Sequence, residues 1–171
     1  GSFKELREGE VERIISNGMK LFPIFQESGA NLEYFTSARG KIDAEKSTKA
    51  ARKYGIPKDS IIYFALDTDP LDGDITGKIL PYFKSLSENF DPEYKIGVYG
   101  TRNVCTQVCN KGFAETSFVS DMSYGFSGNM GFKIPQKWNL DQYYEIKVSE
   151  SGWDFPPSLC LWICDTWKWY R

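Results

Sequence analysis

The sequence predicts an α/β protein with a parallel sheet, and three observations carry that prediction. Ile61-Ile-Tyr-Phe-Ala-Leu66 is a near-continuous apolar run, the pattern of a strand covered on both faces. Lys95-Ile-Gly-Val-Tyr-Gly100 and Ser117-Phe-Val-Ser120 repeat the signal further along. Between these runs lie stretches with helical spacing, and strand–helix alternation of this kind builds parallel sheets. Two architectures meet these conditions, an open doubly wound sheet and a closed (β/α) barrel. No G-x-G-x-x-G follows a strand and no G-x-x-x-x-G-K-[ST] occurs, which disfavours dinucleotide and P-loop sites.

The elements follow in order. Glu5 to Asn17 reads as a helix, with Leu6, Val11, Ile14 and Ile15 near one face and Gly18 as its stop. Lys20-Leu-Phe-Pro-Ile-Phe-Gln26 is a short run of strand formers. A helix is expected from Ala44 to Tyr54, ended by Gly55 and Pro57. After the Ile61 strand, Ile75, Ile79, Phe83, Leu86 and Phe90 fall at helical spacing, and Pro81 must kink that helix or start part of it. Arg102 to Asn110 is helical, ending near Gly112, and Leu140-Asp-Gln-Tyr143 reads as a last strand. The chain is read as one domain, residues 1–171. Its tail from 153 is rich in aromatics (Trp153, Phe155, Trp162, Trp167, Trp169, Tyr170), and packing is the favoured role for them.

Composition narrows the function. A chain of 171 residues supports one domain with a sizeable core. With 41% hydrophobic and 26% charged residues it reads as globular, and a net charge of -2 gives no pull toward nucleic acid or anionic membrane. No apolar run is long enough to span a bilayer. Gly1-Ser2 reads as a cloning scar rather than a natural start. There is no histidine, which excludes Ser-His and Cys-His catalysis and His-ligated zinc within this chain. Acid–base chemistry falls to carboxylates, Tyr or Lys, and no cofactor is expected. The cysteines form two matched spacings, Cys105-x-x-x-Cys109 and Cys160-x-x-x-Cys164. The default reading is buried thiols, with disulfides or a four-thiolate zinc site as alternatives.

The residues that carry chemistry lie at strand ends. Side chains alternate along Ile61 to Asp69, so Phe64 and Leu66 face covering helices while Tyr63, Ala65, Asp67 and Asp69 face the other way. Two carboxylates two residues apart on one face lie about 6–7 Å apart. That spacing suits a general acid and a charge-stabilising partner flanking a glycosidic bond, and proximity raises one of the two pKa values. Asp-x-Asp-Pro is also a turn and helix-capping composition, and Asp-x-Asp can hold magnesium or manganese against a sugar-nucleotide phosphate, the site of a metal-dependent sugar transferase. Polar groups recur at other strand ends: Gln26, Tyr99, Asp121 before the glycine-rich stretch Gly125-Phe-Ser-Gly-Asn-Met-Gly131, and Asp141-Gln142 after Trp138. Repetition at equivalent places suggests a shared pocket.

Taken together these segments resemble the bacterial glycoside-hydrolase-like domain family, whose barrel is related to the family 25 (Chalaropsis-type) lysozymes. The resemblance rests on Leu21-Phe-Pro-Ile-Phe-Gln26, Ile62-Tyr-Phe-Ala-Leu-Asp-Thr-Asp69, Tyr94-Lys-Ile-Gly-Val-Tyr-Gly-Thr-Arg-Asn-Val-Cys105, Phe118-Val-Ser-Asp-Met-Ser123 and Trp138-Asn-Leu-Asp-Gln142. It implies a TIM-like barrel in a secreted or cell-surface protein that cleaves or binds cell-wall glycan, peptidoglycan above all. Asp67 and Asp69 match the lysozymes' acidic pair, which implies Asp69 as general acid and Asp67 as stabiliser. Gln26, Tyr63, Tyr99, Asp121, Trp138, Asp141 and Gln142 are the implied substrate contacts, with no metal. This chain has Asp-x-Asp where the lysozymes have Asp-x-Glu. The family's first two strands find no match here, which implies an incomplete barrel. Its open edges would invite a dimer or a complementing chain.

Overall fold

A computed structural model describes residues 6–144. Helix α1 (Glu10–Ser16) is shorter than the periodicity suggests and closes at Gly18, whose φ of 73° is the left-handed stop expected there. Strand β1 (Ile24–Phe25) is only two residues long, following Pro23, which has no N–H to donate. Helix α2 (Ser37–Lys53) begins seven residues before the expected Ala44. Its signal was the cap rather than the apolar stripe: Thr36 Oγ1 accepts from the Arg39 N–H at 3.1 Å. Gly40 sits in this first half against the α4 backbone, a contact that sequence periodicity does not report.

Strand β2 (Ile61–Ala65) is followed by one continuous helical segment. It comprises α3 (Asp72–Asp74), a π-helical stretch (Ile75–Ile79) and α4 (Leu80–Asn89). Pro81 lies inside this continuous segment, directly after the π-helical stretch, where the regular ladder of N–H bonds is already interrupted. Strand β3 (Lys95–Gly100) leads into α5 (Arg102–Asn110), capped by Thr101 Oγ1 and ended by Gly112. Strand β4 (Thr116–Val119) precedes β5 (Trp138–Asp141), which lies two residues earlier than the aromatic-weighted reading placed it. Tyr143 and Tyr144 lie beyond the strand and are exposed.

All five strands are parallel and stand in the order β1-β2-β3-β4-β5. Sequential order with right-handed crossovers puts every connecting helix on one face, so this is not the doubly wound alternative. Among the described residues the sheet is open, with β1 and β5 at its edges, and does not close into a barrel. Nor does a strand precede β1 among them. Closure needs more strands than the five this stretch supplies.

The core divides by face. Ile62, Phe64, Leu66, Ile96 and Val98 pack under the helices with Ile75, Ile79, Phe83 and Leu86. Tyr63, Phe118 and Leu140 form a second cluster on the helix-free face, with Phe22, Ile61 and Tyr99 against it. The alternation expected along Ile61–Leu66 is therefore observed. Gly97 makes the second cluster possible, since the Tyr63 ring lies where a Cβ at position 97 would stand. Among the cysteines, Cys105 and Cys109 are buried free thiols, while Cys160, Cys164 and the aromatic tail lie outside the described residues.

Candidate functional site

The C-terminal ends of the strands gather most of the expected site residues, but the structure sorts the whole set into five places. The first is the rim of the helix-free face. Ile24 pairs with Tyr63 and Ala65 pairs with Tyr99, so alternation brings Gln26, Asp67 and Tyr99 to one side. The ladder continues just past β2, with the Leu66 N–H donating to Tyr99 O and the Asp67 N–H to Gly29 O, each at 2.9 Å. Leu66 packs under the helices, which turns Asp67 to the opposite face. Tyr99 Oη donates to Gln142 Oε1 at 2.6 Å, and Gln142 Nε2 contacts the Met122 sulfur. Gln26 and Asp67 are exposed, and the Asp67 carboxylate makes no side-chain hydrogen bond or ion pair among the described residues.

Asp69 occupies the second place. It does not stand beside Asp67 as a free partner, because β2 ends at Ala65 and the chain beyond turns away. Its two oxygens accept from consecutive backbone N–H groups of the glycine-rich loop, Ser127 at 2.6 Å and Gly128 at 2.8 Å. Pro70 and the α3 turn follow at once, the turn composition seen in the sequence.

The third place is on the helix side. Asp141 pairs with Val119, so it faces away from Leu140 and Gln142, and it lies against Asp121. Arg102, in the first turn of α5, grips Asp121 through two parallel bonds, Nε at 2.7 Å and Nη2 at 2.5 Å. Its Nη1 donates to Phe132 O at 2.9 Å. Burial first, then the Asp121 charge, pushes the Asp141 carboxyl up to about 6, while Arg102 pulls the other way. One Asp141 oxygen, Oδ1, is buried without a hydrogen-bond partner. Sequence reasoning missed Arg102. Its signal was position, the first helical residue after a strand end.

The last two expected contacts are not on the rim. Tyr63 lies inside β2, 1% exposed, packed edge-on against Phe22 and Phe118, with its hydroxyl accepting from Asn139 Nδ2. A mid-strand position buries it beneath the rim. Trp138 opens β5, so it stands exposed about 10 Å along the strand from Asp141, at the opposite end of the sheet.

A further network went unseen in the sequence. Asp43 on α2 is fully buried; Tyr34 and Tyr82 donate to its Oδ2 at 2.7 and 2.8 Å, and Arg39 Nε lies 2.9 Å from its Oδ1. Burial, the largest influence, pushes the Asp43 carboxyl up, against the pull of both tyrosines and Arg39. Arg39 also pairs with Glu27, just after β1, which ties α2 to the rim. Asx and aromatic residues at these spacings carry no sequence signal of a shared partner. For a metal, no three Cys, Asp or Glu side chains gather as a ligand set among the described residues. No helix among them is long and apolar enough to cross a membrane.

Comparison with known proteins gives a family and a fold. Residues 2–160 match the family described as Rv2525c-like, glycoside hydrolase-like domain. The chain is 44% identical over 153 residues to the uncharacterized protein FadG of Bacillus subtilis (strain 168), covering 87% of this chain and 27% of that one. It is 42% identical over 151 residues to the uncharacterized protein YbfG of the same strain, covering 84% and 21%. The chain thus spans about a quarter of the length of these relatives. In fold it is similar to the Mycobacterium tuberculosis Tat-secreted protein Rv2525c, solved with L-tartrate. The TM-score is 0.68 at 21% identity, covering 87% of this chain and 71% of that one. It is also similar to an uncharacterized B. stearothermophilus protein, with a TM-score of 0.58 at 18% identity and coverage of 82% and 70%.

Proposed function

Because the chain belongs to the Rv2525c-like, glycoside hydrolase-like domain family, we propose that it acts on bacterial cell-wall glycan at the rim of the helix-free face, as a muramidase-type glycoside hydrolase. The observation that carries this reading is Asp67: an exposed carboxylate without a side-chain partner among the described residues, on the same face as Gln26 and the Tyr99–Gln142 pair. A carboxylate so placed stabilises positive charge developing on a sugar ring, while amide and hydroxyl groups orient its hydroxyls. In this reading the five strands are an arc of a barrel related to the family 25 lysozymes, closed by other parts of a longer chain or by a second copy. Export to the cell surface goes with it, as Rv2525c is Tat-secreted.

Hydrolysis asks for a second carboxyl, and Asp69 could serve only by giving up its bonds to the Ser127 and Gly128 N–H groups. The test is glycan release from purified peptidoglycan by the wild-type chain, Asp67→Asn and Asp69→Asn. Release by the wild type that Asp67→Asn abolishes while binding survives supports hydrolysis.

The second reading is a barrel that binds cell-wall glycan without cutting it. It is favoured by a specific observation: both Asp69 oxygens are already engaged by the Ser127 and Gly128 N–H groups. Pelleting with peptidoglycan, with no release and with binding weakened by Asp67→Asn, selects it.

A further inference from the structure

We infer that Asp69 is a positioning residue: it fixes the glycine-rich loop 125–131 over the strand ends and leaves Asp67 as the carboxylate that the rim presents to a ligand. The inference rests on the glycan reading only for its functional consequence.

The hydrogen bonds argue it directly. An N–H can only donate, so an oxygen facing one must accept. Both Asp69 oxygens face N–H groups, at 2.6 and 2.8 Å. Each oxygen keeps a second lone pair, but the carboxyl is tethered to the loop backbone through both oxygens. A general acid turns a protonated oxygen to the leaving group, and turning Asp69 that way would break a bond to the loop.

The loop has the form of something held. Gly128 packs so closely on Thr101 that a Cβ there would stand 2.5 Å from Thr101 Oγ1. Its carbonyl accepts from the Asn103 N–H at 3.0 Å. Asn129 accepts from the Arg102 N–H at 2.9 Å and donates to Ser120 O and Ser123 O at 2.9 and 3.0 Å. The loop is therefore stitched to the ends of β3 and β4 by residues 128 and 129. Asp69 adds the only side-chain bonds from the β2 end to the loop among the described residues. Without it, three strand ends reduce to two, and the loop loses its fixed distance from Asp67.

The experiment is site-resolved amide hydrogen exchange at Ser127 and Gly128 in the wild type and Asp69→Asn, read beside peptidoglycan binding and the pH profile of any glycan release. An asparagine has one acceptor oxygen, so at least one amide loses its partner. Exchange there is expected to rise about tenfold or more, the size of one lost charge-assisted bond. Binding should weaken, and any release should fall with its pH profile unchanged in shape. Unchanged exchange in folded Asp69→Asn overturns the inference. So does release whose high-pH limb disappears in Asp69→Asn while the loop stays protected, since that is the signature of a lost acid. If Asp69→Asn does not fold, Asp69→Glu shifts both oxygens by a methylene, and faster exchange confined to these two amides is the expected result. A wild type that neither binds nor releases peptidoglycan sinks the glycan reading, while the exchange data still decide the role of Asp69.

Discussion

Gly40 on α2 faces the backbone carbonyl of Tyr82 on α4 with no room for a methyl group between them, since an added Cβ would overlap that oxygen. The obstacle is backbone, which cannot rotate aside. Gly40→Ala should therefore push the helices apart despite its better helix propensity, and cost about 1–3 kcal/mol as an overpacked contact. Urea unfolding of the two proteins measures it; a gain in stability would mean the helices are not so closely set.

The same helix pair buries Asp43. Removing that carboxylate strands Arg39 and two tyrosine hydroxyls, so Asp43→Ala should cost about 3–5 kcal/mol. Tyr82→Phe removes one donor and should cost nearer 1 kcal/mol. Thermal melts of both variants check the order as well as the sizes.

Asp141 predicts a pH dependence. Its folded carboxyl is pushed up to about 6 by burial and by Asp121. An unfolded aspartate titrates near about 3.9. The folded state thus binds the proton more tightly. The resulting stability is fully present below the unfolded value and is lost as pH rises through the folded one. Asp141→Asn should flatten that loss and stabilise the protein at pH 7.5 by roughly 1 kcal/mol, after discounting for solvent screening. Urea midpoints at pH 5 and pH 7.5 test the sign.

At the rim, Asp67→Asn removes an exposed carboxylate that has no side-chain partner among the described residues. Its stability should stay within about 0.5 kcal/mol of the wild type, while action on glycan is lost. A large stability change would recast Asp67 as structural.

The thiols should be inert when folded. Burial pushes Cys105 far above the ordinary thiol range and Cys109 up to about 11, so little thiolate is present near neutral pH. Alkylation followed by mass spectrometry should mark both sites slowly in buffer and quickly in urea.

Local pattern made much of this molecule legible in advance. Apolar runs found β2 and β3, and glycines 18, 55 and 112 marked helix ends with their left-handed φ. These features depend on a residue and its near neighbours, which is what a sequence records. The family resemblance, too, was readable from motif order, because five short stretches had to occur in one sequence. Alternation along β2 even assigned Tyr63 to the helix-free face, though not its burial there.

What the sequence could not decide was partnership between distant segments. Asp67 and Asp69 are two residues apart and read as one pair, yet the loop residues Ser127 and Gly128, nearly sixty positions away, claim Asp69. Asp141 and Gln142 are adjacent, yet strand alternation sends one to Asp121 on the helix side and the other to Tyr99 on the opposite face. Trp138 shares a motif with both but stands at the far end of β5. Sequence alone determined that this chain is an α/β domain with carboxylates at its strand ends. The tertiary structure decided which of them is free, because a carboxylate's role depends on the donors that reach its oxygens, and those arrive through space from elements the sequence keeps apart.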